Sequence, residues 1–399
     1  MKNKEFCCGC SACLNICPKN AISMVDDEYG FVFPSIDKEK CVNCGLCDKV
    51  CDRIDTLYKT YPLKAFAISS KNTELSQKSS SGGMFAELAK SVLSNGGVVF
   101  GCVMEKIDEK FVIKHISVDK ENDLSKLQGS KYVQSDIGNS YFEAKKYLDK
   151  NLKVLFSGTP CQIAGLQAFL NKDYNNLITV DLSCTGVPSQ KLFNDYIKFL
   201  ENKSKTIIKN FKFRDKLLNG WTCNKYVFYD EKEKIHKVNG VSSAYHNLFL
   251  HNLITRNSCK TCNFSSMNRV SDITIADCWG VEQVYPELLK GNNGVFDKNN
   301  GVSLVLINSP KGEDIFKLIS SNIIFREVDA EKLKNYNGPL KERNLRNNSV
   351  EYLEEYRLNG YVGLDKLFKK RRGISKRIYY FVLQFVPNFV KNFYKRITR

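Results

Sequence analysis

The sequence lacks the signatures of several large enzyme classes. Its four histidines stand in no His-Glu-x-x-His or His-x-Glu pattern, so the common zinc-hydrolase arrangements are absent. No Gly-x-x-x-x-Gly-Lys-Ser/Thr loop is present, and no Gly-x-Gly-x-x-Gly opens a strand–helix unit. These absences exclude the standard nucleotide-triphosphate loop and the standard Rossmann fingerprint.

Long hydrophobic runs are also lacking. The longest strongly apolar run, IYYFVLQFV at 378–386, is too short to span a bilayer. The first residues, MKNKEFCCGC, contain no apolar region of a secretory signal. We therefore expect a cytoplasmic protein in which the sixteen cysteines serve as thiolates for metal and not as disulfides.

Positive charge is concentrated at one end of the chain. The net charge is +17, and residues 366–399 contain eleven Lys or Arg and no acid, which leaves +6 elsewhere. This tail is apolar in its middle and basic at both ends, a pattern that predicts peripheral contact with an anionic membrane. A C-terminal helix packed on the body and the docking of an acidic ferredoxin are the alternatives. No nucleic-acid partner is expected, because no recognition motif accompanies the charge.

Two cysteine quartets with the same spacing open the chain. Each reads C-x2-C-x2-C-x3-C, and the second follows the first at an offset of 34 residues. Three thiolates this close cover one face of a [4Fe–4S] cluster, and the fourth crosses to the neighbouring cluster. The spacing predicts one cluster on Cys7, Cys10, Cys13 and Cys51 and another on Cys41, Cys44, Cys47 and Cys17.

Zinc is the alternative for these quartets, but cysteine triplets at this spacing do not suit a tetrahedral site. The second quartet ends in Cys51-Asp52, whereas the first ends in the usual Cys-Pro pair. Cys8 has no place in the pattern and is interpreted as a spare thiol. A module of residues 1–56 is too small for a good core of its own without a metal.

From residue 57 onward, strand and helix patterns alternate. KAFAIS, VVFGCVM, KVLFSG, LITVDLS, SDITIAD and GVSLVLIN predict strands, and helical stretches lie between several of them. The predicted fold class is α+β/α/β: a small two-cluster bacterial-type ferredoxin module followed by a mixed α/β domain. Beyond about Tyr336 the pattern dissolves into polar and basic sequence. The predicted segments are 1–56, 57–150, 151–340 and 341–399.

Four further cysteines stand near predicted strand ends. Cys161 and Cys184 follow two buried strands, and a C-x2-C pair, Cys259 and Cys262, precedes a third. In open α/β sheets the carboxyl ends of strands form the binding crevice, where helix N-termini favour anions. The spacing leaves open whether these residues share a third cluster, bind zinc, form a redox dithiol or are merely small buried side chains.

Five motifs occur in an order that identifies a family. SSSGGMFAEL, GSKYVQSDIG, VLFSGTPCQIAGL, DLSCTGVPS and SCKTCNFSSMNRVSDITIADCWG together resemble the coenzyme F-420 hydrogenase/dehydrogenase beta-subunit family, in its form with an N-terminal two-cluster ferredoxin. The resemblance covers residue 7 to about residue 335. It implies an iron–sulfur flavoprotein whose segments 57–150 and 151–340 are the N-terminal-like and C-terminal-like parts of that subunit.

The resemblance also implies the cofactor contacts. It assigns a third [4Fe–4S] cluster to Cys161, Cys184, Cys259 and Cys262. It assigns FAD to Ser81, Gly82, Gly83, Lys131 and Tyr132, where glycines would let backbone amides approach a pyrophosphate. Coenzyme F-420 is a candidate substrate. Where the family has Gly-Asp-aromatic-Trp-Gly, this chain has Ala276-Asp277-Cys278-Trp279-Gly280, so Cys278 is not expected to be a ligand.

Three functions follow from these motifs. The first is an oxidoreductase that passes electrons from the ferredoxin clusters through the inner cluster and FAD to a small substrate, in polysaccharide biosynthesis as for similar bacterial proteins. The second is an electron-transfer subunit that delivers electrons to a partner protein. The third is a membrane-tethered component of a polysaccharide pathway. The substrate, the electron donor (a redox protein such as ferredoxin) and the catalytic residues are not readable from the sequence.

Overall fold

The fold is taken from a computed structural model, which describes residues 3–221, 225–345 and 349–373. Its strands are β1 Ile22–Asp26, β2 Val32–Ile36, β3 Lys64–Ser70, β4 Val98–Ile107, β5 Lys110–Val118, β6 Val154–Gly158, β7 Leu177–Leu182, β8 Ile208–Lys212, β9 Lys225–Asp230, β10 Ile235–Asn239, β11 Ile273–Asp277, β12 Ser303–Ile307 and β13 Ile323–Glu327.

Helices alternate with these strands over much of the chain. They are α1 Ala12–Ile16, α2 Leu46–Thr56, α3 Thr73–Lys78, α4 Met84–Leu93, α5 Leu124–Leu127, α6 Ser140–Asp149, α7 Pro160–Leu170, α8 Gln190–Ser204, α9 Lys216–Asn219, α10 Ala244–Leu250, α11 Val281–Val284, α12 Pro310–Ile319, α13 Ala330–Lys334 and α14 Ser349–Arg372. Among the described residues, no helix combines the length and the apolar character needed to cross a membrane.

A mixed sheet of eight strands forms the centre of the described structure. Its order is β13-β3-β12-β11-β7-β6-β4-β5, and β4, β6, β7 and β11 run parallel to one another. Parallel strands end at the same edge of the sheet, so their carboxyl ends converge on one crevice. The six strands that the hydrophobic runs predict are all present in this sheet, which confirms the mixed α/β class.

A second, antiparallel sheet of order β10-β9-β8 lies outside that pattern and was not predicted. It packs with α8, α10 and α14 around a cluster of buried aromatic side chains. The strand and helix patterns recognised in the sequence end near Tyr336, and the structure adds a further helix, α14, from Ser349 to Arg372. Its buried tyrosines and leucines hold it against α8 and α10, although Gly360 interrupts it with φ +62°. The basic tail predicted to contact a membrane, residues 366–399, lies outside the described residues from residue 374 onward.

The N-terminal module does not have a separate core. Its short helices α1 and α2 pack on α7 of the larger body, and Ala12, Val50 and Ile54 share one buried cluster with α6, α7 and β6. Phe31 and Phe33 belong to the aromatic cluster on the other side. The module that was expected to need a metal for its core therefore also buries apolar surface against the body.

Candidate metal centre and cofactor site

The first group of thiols surrounds a cavity in the N-terminal module. Cys7, Cys10 and Cys13 line it together with Cys51 from α2, and about 430 Å³ inside it is not filled by protein atoms. The structure thus brings the fourth cysteine of the second quartet to the first triplet, as the spacing predicts. Burial raises the pKa of Cys7, and raises that of Cys13 to about 12.

The second group of thiols lies nearer to solvent. Cys41, Cys44 and Cys47 line a second cavity, of about 150 Å³, together with Cys17 from the first quartet. The backbone N–H of Ala21 donates to the Cys17 sulfur at 3.3 Å. Cys44 is exposed, whereas the other three cysteines of this group are partly buried. This end of the module is therefore the one that an external electron donor can approach.

The third group forms at the carboxyl edge of the central sheet. Cys161 is the second residue of α7, directly after β6, and Cys184 follows β7 by two residues. Burial, and then the neighbouring Cys262, raises the pKa of Cys184 to about 11. Burial raises the pKa of Cys259 to about 12, with smaller effects from the neighbouring Cys184 and Cys262. The hydrogen bond with Cys8, burial, and then the charges of Cys8 and Cys262 raise the pKa of Cys161. The four cysteines named by the family resemblance therefore lie near one another.

Cys8 is the residue whose position the sequence did not reveal. Its sulfur accepts hydrogen bonds from the thiols of Cys10 and Cys161, which lower the pKa of Cys8 and raise those of its two partners. Cys10 belongs to the first group and Cys161 to the third. The interpretation of Cys8 as a spare thiol is therefore incomplete, because it stands between the two groups. Its adjacency to Cys7 was the one signal available, and no spacing rule uses it.

The three groups fit [4Fe–4S] clusters better than single ions. Among the described residues, no three His, Cys, Asp or Glu side chains are arranged to hold one metal ion. Backbone N–H groups act on several of the sulfurs, including those of Gly9 on Cys7, Gly186 on Cys184 and Val187 on Cys259. Such N–H donors stabilise the anionic sulfurs of a cluster and are among the factors that set its reduction potential.

Gly186 shows how closely the backbone packs at the third group. It has φ +130°, and a Cβ atom there would lie 3.2 Å from the Cβ of Cys259 and 2.8 Å from the Asn252 side-chain oxygen. A residue with a side chain would displace one of these neighbours. Glycine therefore allows the loop after β7 to reach the C-x2-C segment.

Cys278 is separate from these groups. It is completely buried in an apolar cluster with Val281, Phe296 and Leu304. Burial, and then Asp277, raises its pKa far above the usual range. Its surroundings are those of a small hydrophobic side chain and agree with the prediction that it is not a ligand.

The two segments proposed to contact flavin meet in the structure. The side chain of Ser80 accepts hydrogen bonds from both the backbone N–H and the hydroxyl of Ser130, each at 2.8 Å. The N–H of Gly82 donates to Ser303 Oγ at 2.9 Å, so this amide is already engaged within the protein. Gly83 has φ +89° and begins α4. Ser81 donates from its hydroxyl to the carbonyl of Val302.

Lys131 is not the solvated side chain that its sequence context allows. Its ammonium donates to the carbonyls of Leu127 and Gln128 at 3.0 and 2.8 Å, where it caps the end of α5. Burial lowers its pKa. The Tyr132 ring stacks on Phe249 with 4.9 Å between ring centroids, and burial raises its pKa.

Residues that the sequence analysis missed complete this region. Arg214 and Asp277 form an ion pair at 2.5 Å, and both charges act on the Tyr132 hydroxyl. Asp277 also accepts from the Trp221 indole N–H at 2.7 Å, and Trp221 stacks on Trp279. Only Asp277 and Trp279 had a signal in the sequence, through the Asp-Cys-Trp-Gly motif.

Lys216 connects the two sides of the region. Its ammonium donates to the carbonyls of Ser81 and Asn300 at 2.5 and 2.6 Å. Burial, with a smaller effect from Arg214, lowers its pKa to about 7. Three basic side chains, Lys131, Arg214 and Lys216, thus lie near the serine–glycine segment, and the charge of Arg214 is paired with Asp277.

Comparisons with known proteins divide the chain into two matched parts. The family model for the C terminus of the coenzyme F420 hydrogenase/dehydrogenase beta subunit matches residues 151–332. A 4Fe-4S dicluster domain model matches residues 6–53, the segment that contains both cysteine quartets. The N-terminal module is therefore a ferredoxin-like 4Fe-4S region.

Two relatives from Methanocaldococcus jannaschii match most of the chain. An uncharacterized protein is 25% identical, with 78% of this chain and 86% of the relative covered. The coenzyme F420-dependent sulfite reductase is 24% identical, with 90% of this chain and 54% of the relative covered. The chain thus spans about half of the sulfite reductase.

Two further matches are more limited. One polypeptide of the H2:CoB-CoM heterodisulfide, ferredoxin reductase of Methanothermobacter marburgensis is 34% identical over 13% of this chain and 10% of its own length. A chain in a structure of the F420-reducing [NiFe] hydrogenase complex of Methanosarcina barkeri superimposes with a TM-score of 0.45 at 18% identity. That superposition covers 79% of this chain and 95% of the other.

Proposed function

We propose that this chain, which belongs to the coenzyme F420 hydrogenase/dehydrogenase beta-subunit family, is an iron–sulfur flavoprotein that transfers electrons between a redox partner and a small substrate. Three groups of cysteines in series are the observation that carries the proposal. Clusters held by the exposed group with Cys44, by the group with Cys10 and by the group with Cys161 would supply one-electron carriers in that order from the surface to the sheet edge.

The first two groups hold the clusters of the dicluster domain. Cys41, Cys44, Cys47 and Cys17 are the ligands at the exposed end, and Cys7, Cys10, Cys13 and Cys51 those at the buried end. Each cluster, when bound, accepts one electron at a time. The module packs directly on α7, so the second of these groups lies beside the body without an intervening linker.

The third group, Cys161, Cys184, Cys259 and Cys262, holds the inner cluster. Cys8 bridges the two buried groups through its contacts with Cys10 and Cys161. Cys8 therefore lies between the first group and the third group. The position of Cys161 at the N-terminus of α7 places the positive end of an eleven-residue helix next to an anionic cluster.

FAD is the acceptor that we propose beyond the inner cluster. Ser81, Gly82, Gly83, Lys131 and Tyr132 are its proposed contacts, joined by Arg214 and Lys216. A bound flavin exchanges single electrons with clusters and electron pairs with a substrate. The convergence of the two segments at Ser80 and Ser130, and the three basic side chains near them, support this assignment. Lys216 orients the Ser81 carbonyl, and Arg214 holds Asp277 next to the Tyr132 hydroxyl.

Iron and flavin content of the anaerobically purified full chain tests the proposal. We expect about twelve iron atoms and about one FAD per chain. The double variant Cys161→Ser/Cys184→Ser is expected to retain about two thirds of the iron. Cys278→Ser is the matched control, because the Cys278 thiol lies in an apolar cluster. This variant should retain all of its iron. Full iron in the double variant would contradict the inner cluster.

An electron-transfer protein without its own substrate is the second candidate. The alignment with the coenzyme F420-dependent sulfite reductase leaves nearly half of that protein without a counterpart here. In this candidate function, electrons would pass to a separate partner protein. If a candidate small substrate, with coenzyme F420 tried first, reoxidises the reduced chain alone, this candidate is excluded. Absence of FAD after reconstitution would favour it.

The role in polysaccharide biosynthesis, a ferredoxin donor and membrane contact through the basic tail remain predictions. Partition of the full chain between membrane and soluble fractions, compared with a chain lacking residues 366–399, tests the last of these. An unchanged partition would show that the tail is not an anchor.

A further inference from the structure

A buried arginine lies between the first and third groups of cysteines. The Arg256 side chain is 1% exposed and comes from the segment just before the C-x2-C pair. Its Nε donates to Gln134 Oε1 at 3.1 Å, and its Nη1 donates to the carbonyl of Cys7 at 3.0 Å. Its Nη2 donates to the carbonyl of Val32. One side chain thus connects both halves of the N-terminal module to the body.

No carboxylate compensates this charge within the described residues. The contacts of the guanidinium are carbonyl and amide oxygens and the faces of Phe31 and Phe33, whose ring centroids lie 5.5 and 4.4 Å away. The other fully buried arginine, Arg269, has Asp181 at 2.9 Å. Burying a charge without a counter-charge is costly, so a structure that retains one normally places an anion beside it.

Cysteine thiols are the groups that the fold places there, and they become anionic when they bind a cluster as thiolates. The charge of Arg256 acts on Cys7, on Cys8 and on Cys259, which belong to the first group, the bridge and the third group. A Cβ on Gly9 would lie 2.8 Å from Nη2 of Arg256, so the guanidinium packs directly against the cysteine loop. The approach is possible only because Gly9 has no side chain.

We propose that Arg256 is the shared counter-charge of the first and inner clusters and raises the reduction potential of both. The inference rests on the proposed function. When a reductant gives one electron to either cluster, no bond forms or breaks and no proton moves, so the negative charge increases by one. A fixed, buried positive charge stabilises that reduced state, and it does so strongly because water is excluded.

Substitution of Arg343 offers a comparison in which only one of the two clusters is affected. Its guanidinium donates to the carbonyls of Thr185 at 2.6 Å, Cys259 at 3.3 Å and Cys184 at 3.4 Å. It therefore lies at the third group alone. Arg326, on the exposed face of the edge strand β13, supplies a control in which the same charge is lost far from any cysteine group.

The test is a redox titration of the full-length holoprotein, followed by electron paramagnetic resonance with dithionite as reductant. Arg256→Gln is expected to lower the ratio of reduced to oxidised cluster at least tenfold at a fixed potential, which is about 59 mV for one electron, in both the first and the inner cluster. Arg343→Gln should shift the inner cluster alone, and Arg326→Gln should shift neither.

Arg256→Lys separates charge from hydrogen bonding. It keeps the charge and loses the forked donor geometry, so its potentials should stay near those of the wild type even if its stability falls. Unchanged potentials in Arg256→Gln with full iron would overturn the proposal, and so would an equal shift in Arg256→Lys and Arg256→Gln. A wild-type chain that binds no iron would instead refute the proposed function.

Discussion

Single residues at the contact between the N-terminal module and the larger body show how closely the two parts pack. Gly9 lies under the side chains of Gln134 and Arg256, and a Cβ there would come within 2.6 Å of the Gln134 amide nitrogen. Gly45 has nearly the same backbone, with φ +71° against +65°, but nothing lies within 4 Å of its Cβ position. Substitutions at these two glycines therefore distinguish the effect of the backbone conformation from the effect of close packing against neighbouring side chains.

Gly9→Ala is expected to destabilise the protein more than Gly45→Ala. The second change should lower the free energy of unfolding by about 1 kcal/mol, through the left-handed backbone alone. The first should cost a further 1–3 kcal/mol or so, because the side chains of Gln134 and Arg256 must move. Denaturant unfolding of the anaerobic proteins measures both. Equal losses would show that the contact can relax freely.

His115 is expected to make the free energy of unfolding depend on pH in the acid range. Burial lowers its pKa to about 4, while its Nε2 lies 3.0 Å from the Ser157 carbonyl oxygen. Between pH 6.5 and about 4 the unfolded chain binds a proton here that the folded protein does not, so stability falls as pH falls through this window. The expected contribution is a loss of about 2 kcal/mol at pH 5 relative to pH 8.

His115→Gln should remove this pH dependence, since an amide can still donate to the Ser157 carbonyl but does not titrate. The difference in unfolding free energy between variant and wild type, measured at pH 8 and at pH 5, gives the contribution directly. A difference that stays constant between these pH values would refute it.

At the scale of elements, α14 is the part of the fold that the sequence pattern concealed. Gly360 breaks its periodicity, and the buried positions change face across that break. The backbone N–H of Tyr245, at the start of α10, donates to the hydroxyl of Tyr361 at 3.0 Å, and the rings of Tyr196 and Tyr361 lie 5.2 Å apart. The helix therefore completes the aromatic cluster that supports the second sheet.

Leu364→Ala is expected to lower the free energy of unfolding by about 2–5 kcal/mol, because this side chain is completely buried. Leu358→Ala, on the same helix, is the matched control. Its side chain is 65% exposed, so the loss should stay within about 0.5 kcal/mol. Urea unfolding followed by circular dichroism measures both. Similar values for the two variants would mean that α14 does not contribute to the core as described.

At the scale of the whole molecule, charge and the order of the thiol groups act together. The net charge of +17 would favour association with an acidic redox protein, and the most accessible cysteine of the three groups, Cys44, lies at the end of the proposed series. Electrostatic attraction accelerates association and is screened by salt, because the Debye length falls from about 10 Å at 0.1 M to about 3 Å at 1 M.

The rate of reduction by an acidic ferredoxin should therefore fall at least tenfold between about 0.05 and 0.5 M salt. Stopped-flow absorbance of the clusters measures this rate. Photoreduction by a small uncharged donor is the control and should change little over the same range. A rate that does not depend on salt for the ferredoxin would argue against steering by the positive charge.

The sequence by itself determined the parts of this protein that depend on local spacing. Cysteines at C-x2-C-x2-C-x3-C intervals predict that Cys17 joins the second triplet and that Cys51 joins the first. This prediction is possible because ligand spacing is a local property of the chain. The six predicted strands of the central sheet follow from hydrophobic runs that are buried on both faces. The order of five motifs was sufficient to recognise the family.

Only the tertiary structure decided the roles of residues that act through contacts with distant parts of the chain. Cys8 becomes a bridge because α7 brings Cys161 to it, and Arg256 becomes a shared cation because the C-x2-C segment folds against the module. Neither residue carries a local pattern. A buried charge can be recognised only when the groups around it are known, and those groups come from residues more than 100 positions away in sequence.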